Sequence, residues 1–391
     1  MAAGDNLTNF GKLLTNQKKV WDLDVWKQAR AKMFINKFMG TGSDAMIQHL
    51  TSLTKTAAGD QVVIHLLADL IGDGVTDDYT LEGNEEAMKA YDQIVKVDQL
   101  RHAVRSKGKM ADQRSVIAFR KNAKDQLAYW LADRIDQLAF LTLSGIKYEV
   151  ANTGAKRVKL GHAPGTTGYL LKDLAFATDV TAPTDARWLR VKANGDFDTG
   201  DITKVAAGDK LTYKHIVNLK AYARDNYIRG VGANNDKYHM FVTPAGMAQL
   251  KLDDDFMANA RHAGVRGSGN ELFAGSDTLL VDGVYIHQYH HVFNTRTATA
   301  GTKPSGANKT EEGRKWGTDG NVEGQRALFC GAQALAFADV GGGSWEEETF
   351  DYGNQNGISY GRIFGMKKPV WQDKVSGKPQ DFGVIAVDTA I

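Results

Sequence analysis

Residues 111–143 constrain this chain more than any other segment. Val116, Phe119, Ala123, Leu127, Trp130, Leu131, Ile135, Leu138 and Thr142 recur there at spacings of three and four. That periodicity puts them on one stripe of a single α-helix. The helix runs to about thirty residues, or roughly 45 Å at about 1.5 Å per residue, well above the mean helix length in mixed proteins. Gly145 follows as a stop signal. A rod of this length is a spine, and other elements must be laid along its apolar stripe.

The flanking segments read as a mixture of strands, loops and shorter helices, so the fold class is α+β. Residues 1–17 are polar and weakly patterned, which suits a flexible arm. Residues 18–39 read as an amphipathic helix with Trp21, Val25, Phe34 and Phe38 among its apolar positions, ended by Gly40-Thr41-Gly42-Ser43. Residues 60–71 and 91–105 read as two long strands. The stretch between them, rich in Gly and acid, is longer than an ordinary connection and so functional or disordered. Residues 146–210 read as strands and loops. A helix over 212–228 has Thr212 at its N-cap and Leu211 and Ile216 placed for a hydrophobic staple. Residues 238–242 read as a buried strand, after which Thr243-Pro244 opens a helix. Strand patterns follow at 278–292 and 326–339, with a surface loop over 297–323 between them. Residues 345–391 read as Gly-punctuated strands.

Composition excludes several classes. The 391 residues carry 48 Lys plus Arg against 46 Asp plus Glu, a net charge of +2. A dedicated nucleic-acid binder would show a clear basic excess. The single cysteine, Cys330, allows no intrachain disulfide and fits a reducing cytoplasm. It lies among apolar residues and reads as a buried, inert thiol. The first residues hold no secretory pattern, and the most apolar run, Val62 to Ile71, is too short to span a bilayer.

Five ordered motifs carry a family resemblance. They are Leu81-Glu82-Gly83-Asn84-Glu85-Glu86, the run Asp98 to Arg105, Leu127-Ala128-Tyr129-Trp130-Leu131, Asp351-Tyr352-Gly353-Asn354, and Gly361 to Lys368. In this order the chain resembles the major capsid proteins of the coliphage N-four group of podoviruses, from about Trp21 to Thr389. The resemblance implies the Hong Kong 97 capsid fold. It implies an N-terminal arm (1–50), an extended loop (51–105), a peripheral domain with the spine helix and an insertion (106–210), an axial domain (211–325), and return strands of the peripheral domain (326–391). It also implies a structural subunit, not an enzyme, with no cofactor. Such a subunit forms hexamers and pentamers of an icosahedral shell enclosing double-stranded DNA, together with a portal protein and possible decoration proteins. Only about twenty residues precede the first expected helix, which points to a separate scaffolding protein.

The chemistry to seek in such a subunit lies at its interfaces. From Asp69 to Glu86 there are seven acids (Asp69, Asp73, Asp77, Asp78, Glu82, Glu85, Glu86) and no Lys or Arg. From Arg101 to Lys124 there are eight bases (Arg101, Arg105, Lys107, Lys109, Arg114, Arg120, Lys121, Lys124) against Asp112 alone. Either run by itself reads most simply as a solvated face. Together they suggest that the acidic loop of one subunit lies over the basic start of its neighbour's spine helix, for register and steering. Alternatively the basic run, with Lys18, Lys19, Lys27, Arg30, Lys32 and Lys37, faces packaged DNA in weak, salt-sensitive contacts.

The rival from another class is a metal-dependent hydrolase using His287 and His290. In an extended strand His287 and His291 would share a face while His290 points away, with Asp282 the nearest acid. Gly230-Val231-Gly232 and Gly264 to Gly269 lack the context of a nucleotide loop. Asp253, Asp254 and Asp255 lack calcium-loop spacing.

Overall fold

The computed structural model describes residues 33–51, 59–67, 70, 72–88, 90–114, 119–158, 170–232, 236–262, 278–301, 313–340, 344–373 and 377–391. The expected arm, the start of the first helix with Trp21, Val25 and Trp26, Val116, and the Gly264–Gly269 run lie outside the described residues.

The spine helix is present as Phe119–Ser144, 26 residues long, about 39 Å at the α-helical rise. A short helix, Lys109–Arg114, precedes it. Phe119, Ala123, Leu127, Leu131, Ile135, Leu138 and Thr142 are all buried, as their spacing predicts, and Trp130 is half-buried. Gly145 takes a left-handed φ of 68°. Its N–H bonds the Thr142 carbonyl, and that of Ile146 bonds the Leu141 carbonyl. This pair of bonds satisfies the last carbonyls of the helix and turns the chain away.

Two sheets sandwich the C-terminal half of this helix. The first has six strands, ordered Met39–Gly40, Ile47–Leu50, Leu335–Asp339, then the long strand Gln355–Lys367, which also pairs Ser344–Phe350 and Asp98–Arg105. The second has seven, ordered Phe197–Thr199, Trp188–Val191, Val384–Ala390, Gly324–Cys330, Tyr238–Val242, Val284–Gln288 and Thr278–Val281. Leu138, Phe140 and Leu141 of the helix share one core with Phe241 and Leu328 of the second sheet and Phe337 and Phe364 of the first. A second core covers the other face of the seven-stranded sheet, under the helix Tyr213–Asp225. Leu211 and Ile216 are buried there, as the staple predicts. Thr243 caps the helix Pro244–Lys251 by accepting from Gly246 N–H.

Five sequence expectations are corrected. Of the expected helix 18–39, the described end is a 3-10 turn, Phe34–Phe38, running into a strand. The Asp136 carboxylate accepts from the N–H groups of Phe34 (2.8 Å) and Ile35 (3.2 Å), which fastens this turn to the spine helix. The expected strand 91–105 is two strands, Ala90–Lys96 and Asp98–Arg105, in different sheets. The break falls at Val97, whose N–H turns to the Asp60 carbonyl. Gly365 makes the break possible: a Cβ there would stand 2.0 Å from the Lys96 carbonyl oxygen. Likewise 278–292 is a hairpin turning at Asp282-Gly283, both at positive φ. Finally, 326–339 divides at Gly331 to Ala334 between the two sheets. The described end of the 297–323 loop is not wholly superficial, since Trp316 is fully buried.

Two buried ion pairs tie distant segments together. Arg326 and Asp388, both fully buried, meet at 2.7 Å. Asp388 also accepts from Trp188 Nε1 at 2.6 Å, and Arg326 donates to the Ser144 carbonyl at 3.1 Å, at the end of the spine helix. Lys368 and Asp381 pair at 2.9 Å, both about 1% exposed.

Candidate assembly interface

The projecting hairpin pairs Gln61–Leu67 with Ala90–Lys96 in antiparallel register, Gln61 opposite Lys96 and Leu67 opposite Ala90. Its base is packed: Val62 and Val95, with Ile64 half-buried beside them, lie on Ala336 and Ala338 of the six-stranded sheet, and Lys367 donates to the Ile94 carbonyl at 2.8 Å. Beyond that base several described apolar residues are exposed, while Leu66 and Tyr91 are half-buried. Leu67, Leu70, Tyr79, Leu81 and Met88 are 59–76% exposed, and Val63 and Ile94 are also exposed. A two-stranded hairpin with an uncovered apolar surface is marginal in water.

The acidic loop at the far end of the hairpin is held by its own carboxylates. Glu86, half-buried, accepts from Gly72 N–H at 2.7 Å and so closes the loop. Glu85 accepts from Gly83 N–H at 2.8 Å. Asp77 sits at a left-handed φ of 55°, a conformation Asp tolerates better than most residues. Asp77, Asp78, Glu82 and Glu85 are exposed.

The basic run does not form one uniform face. Arg101 and Arg114 are exposed. Arg105 is half-buried, its guanidinium 4.1 Å from the centre of the Phe350 ring. Arg120 is committed within the chain, gripping Glu347 with Nε at 3.0 Å and Nη2 at 2.9 Å from Oε1. The side chains of Lys121 and Lys124, though on the spine helix, lie outside the described residues, as do Lys18, Lys19, Lys27, Arg30 and Lys32.

The Asp351–Asn354 motif has a structural task that its spacing does not reveal. Asp351, Tyr352 and Gly353 are three successive left-handed residues, which reverse the chain between Ser344–Phe350 and Gln355–Lys367. Asn354 Oδ1 then accepts from Lys109 N–H at 3.2 Å, and Gln355 Nε2 donates to the Lys107 carbonyl at 3.0 Å. The turn thus holds the start of the Lys109–Arg114 helix.

The histidines do not form the expected hydrolase site. His287 bonds His239 at 3.0 Å and packs against Phe34 and Phe38. Burial pushes both His239 and His287 down to about 4, with the His239 neighbour and Lys37 adding to the effect on His287. The strand ends at Gln288, so strand alternation does not extend to 290 and 291. His290 and His291 instead lie together, ring centres 4.0 Å apart, and His291 Nε2 is 2.8 Å from Asp133 of the spine helix. Asp282 pairs with Lys220 at 3.0 Å. Sequence reasoning missed Asp133 and Asp136, which read there as ordinary helix charges. Burial raises Asp136 above the usual carboxylate range although Phe34, Ile35 and Tyr289 all donate to it. Cys330 is fully buried, which pushes its thiol far up and leaves it inert.

A long helix clasped between two sheets, with an apolar hairpin standing off the body, defines a subunit made to be completed by others. The family model for phage capsid proteins matches residues 10–391. The major capsid protein of Pseudomonas phage KPP25 is 46% identical over 396 residues, covering 98% of each chain. The capsid of Ralstonia phage GP4 has a TM-score of 0.71 at 25% identity over 98% of both chains. The cyanophage Pam1 capsid has a TM-score of 0.70 at 19% identity, over 98% of this chain and 99% of that one. The fold is therefore that of the Hong Kong 97-like capsid subunits. The chain belongs to the phage capsid protein family and serves as a major capsid protein, a structural component of the virion that assembles with copies of itself into the head shell.

Proposed function

We propose that the shell closes by seating the extended loop of each copy, residues 51–105, on the body of the next within hexamers and pentamers. The uncovered apolar surface of the hairpin carries this reading. Full burial of a side chain such as Leu67 or Met88 contributes about 1.5–3 kcal/mol, so a few of them outweigh the ordering of the loop. The loop acids then set register against bases left free on a neighbour, Arg101 and Arg114 foremost. Arg105 is a weaker candidate because Phe350 covers it. Arg120 joins only by releasing Glu347, and Lys121 and Lys124 complete the proposed set. Each exposed pair is worth at most about 1 kcal/mol.

In this arrangement residues 1–50 are the arm, 106–210 and 326–391 the peripheral domain, and 211–325 the axial domain. Gly324–Cys330 pairs directly with Tyr238–Val242, so the two domains share one sheet. Further partners are a portal protein, a separate scaffolding protein and, on outer loops, a decoration protein. Synthesis and assembly take place in the host cytoplasm. The near-neutral charge suits weak contacts with packaged DNA. The likeness to the N-four group supports a podovirus head.

The test is a triple substitution, Leu67→Ser, Leu81→Ser and Met88→Ser, examined by circular dichroism and electron microscopy. A folded subunit that no longer forms shells is the expected result. Normal shells from the triple variant would refute the hairpin's role.

A further inference from the structure

Away from the hairpin, the middle of the spine helix, the 151–157 loop, the 290–297 turn and the start of helix Pro244–Lys251 enclose an open cleft of about 470 Å³. Its lining includes Arg134, Arg157, Arg296, His290 and His291. The carboxylate beside them, Asp133, already accepts from His291 at 2.8 Å and lies 3.6 Å from Arg134.

Asp133, shared with His291, also faces Arg134, so the three arginines outnumber the carboxylate beside them. Arg134 Nη1 and Arg157 Nη2 both donate to the single amide oxygen of Gln137, at 2.8 and 3.1 Å. Two guanidiniums sharing one neutral acceptor repel each other. Burial, and then Arg134, push Arg157 down to about 10. Arg296 is exposed at the mouth, and His290 is exposed beside it. Thr243 and Pro244, the cap and first residue of an eight-residue helix, complete the lining. That end of a helix carries partial positive charge and favours anions.

Asp133, His290 and His291 also have the ligand types for a metal ion, with their ligand atoms within 4.8 Å of one another. A cation there would share the cleft with three guanidiniums, and the Asp133 oxygen it needs is already engaged by His291. The balance of charge favours an anion. Planar guanidiniums match the oxygens of a phosphoryl group in pairs. The volume falls in the range of small-molecule sites, so it leaves room for more than a bare phosphate.

We propose that this cleft is a phosphate-binding site that takes a phosphoryl group through Arg134, Arg157 and Arg296, supplied either by free phosphate or by the backbone of a nucleic acid. The test is calorimetric titration of the full chain, unassembled and in shells, at constant ionic strength. The probes are inorganic phosphate and a short single-stranded oligonucleotide. Saturable binding near one site per chain is expected. Arg296→Gln, at an exposed position that leaves the core intact, should weaken it about tenfold or more, in keeping with loss of a charge-assisted contact, whereas Arg224→Gln, exposed and outside both the cleft and the proposed interface, should change nothing. Binding of both probes identifies free phosphate as sufficient, and binding of the oligonucleotide alone identifies the nucleic-acid backbone. Three results would overturn the proposal. They are no saturable binding of either probe, an equal loss in Arg224→Gln, or occupation of the cleft only by Zn²⁺ or by a peptide of residues 72–86.

Discussion

The end of the spine helix and the projecting hairpin are both rich in large apolar residues, but they differ in what covers them. Leu138, Phe140, Leu141, Leu143 and Ile146 are buried to the last few per cent by strands of the same chain. Leu67, Leu70, Tyr79, Leu81 and Met88 meet solvent. The first region is finished within the subunit and determines whether the chain folds. The second is left uncovered by the described residues of its own chain, and on our proposal it governs whether folded chains associate. On that proposal stability and assembly rest on different residues, and substitutions can separate them.

The largest expected effect breaks the finished region. Arg326→Met strands the Asp388 carboxylate in a dry core and should cost about 3–5 kcal/mol in urea unfolding of the subunit. Adding Asp388→Leu should restore much of that loss, because the double change leaves no buried charge. Next, Leu138→Ala should cost about 2–5 kcal/mol through the cavity it leaves, while Leu81→Ala should stay within about 0.5 kcal/mol in the unassembled chain. Equal costs for these two would erase the contrast.

A smaller effect is a pH dependence at the Phe34–Phe38 turn. His239 and His287 titrate near 4 in the folded chain and near 6.5 when unfolded. Between those values the unfolded state binds more protons. The stability from keeping both rings neutral is therefore complete above about pH 6.5 and lost as pH falls toward 4. Asp136, raised by burial, works in the opposite direction. Urea midpoints measured from pH 7 to 4 should fall, and replacing both histidines with Phe should flatten the fall. Smallest of all, Arg120→Ala removes an exposed pair with Glu347 and should cost no more than about 1 kcal/mol. If assembly tightens in that variant, Glu347 rather than Arg120 faces a neighbour.

The spine helix was legible because a single periodicity persists through it from Phe119 to Thr142. Its stop at Gly145, the staple of Leu211 and Ile216, and the Thr243-Pro244 start were legible because each depends only on local backbone chemistry. The strand breaks at Val97, at Asp282-Gly283 and after Cys330 were not, because the apolar pattern runs on while the hydrogen-bonding partner changes. Gly365 explains the Val97 break, yet it lies more than 260 positions away in sequence. The charge runs of the candidate interface were visible as composition. That Arg120 is already held by Glu347 depends on a strand crossing no local pattern encodes. Asp133 was hidden for the same reason, since its histidine partners come from a turn beyond the seven-stranded sheet.

Hydrogen–deuterium exchange, compared between unassembled chains and closed shells, tests the division most directly. Amides of Leu131–Ser144 should be protected in both states, whereas those of Gln61–Leu67 and Ala90–Lys96 should exchange quickly in the free chain and slow sharply in the shell. Equal and strong protection of the hairpin in both states would contradict the account.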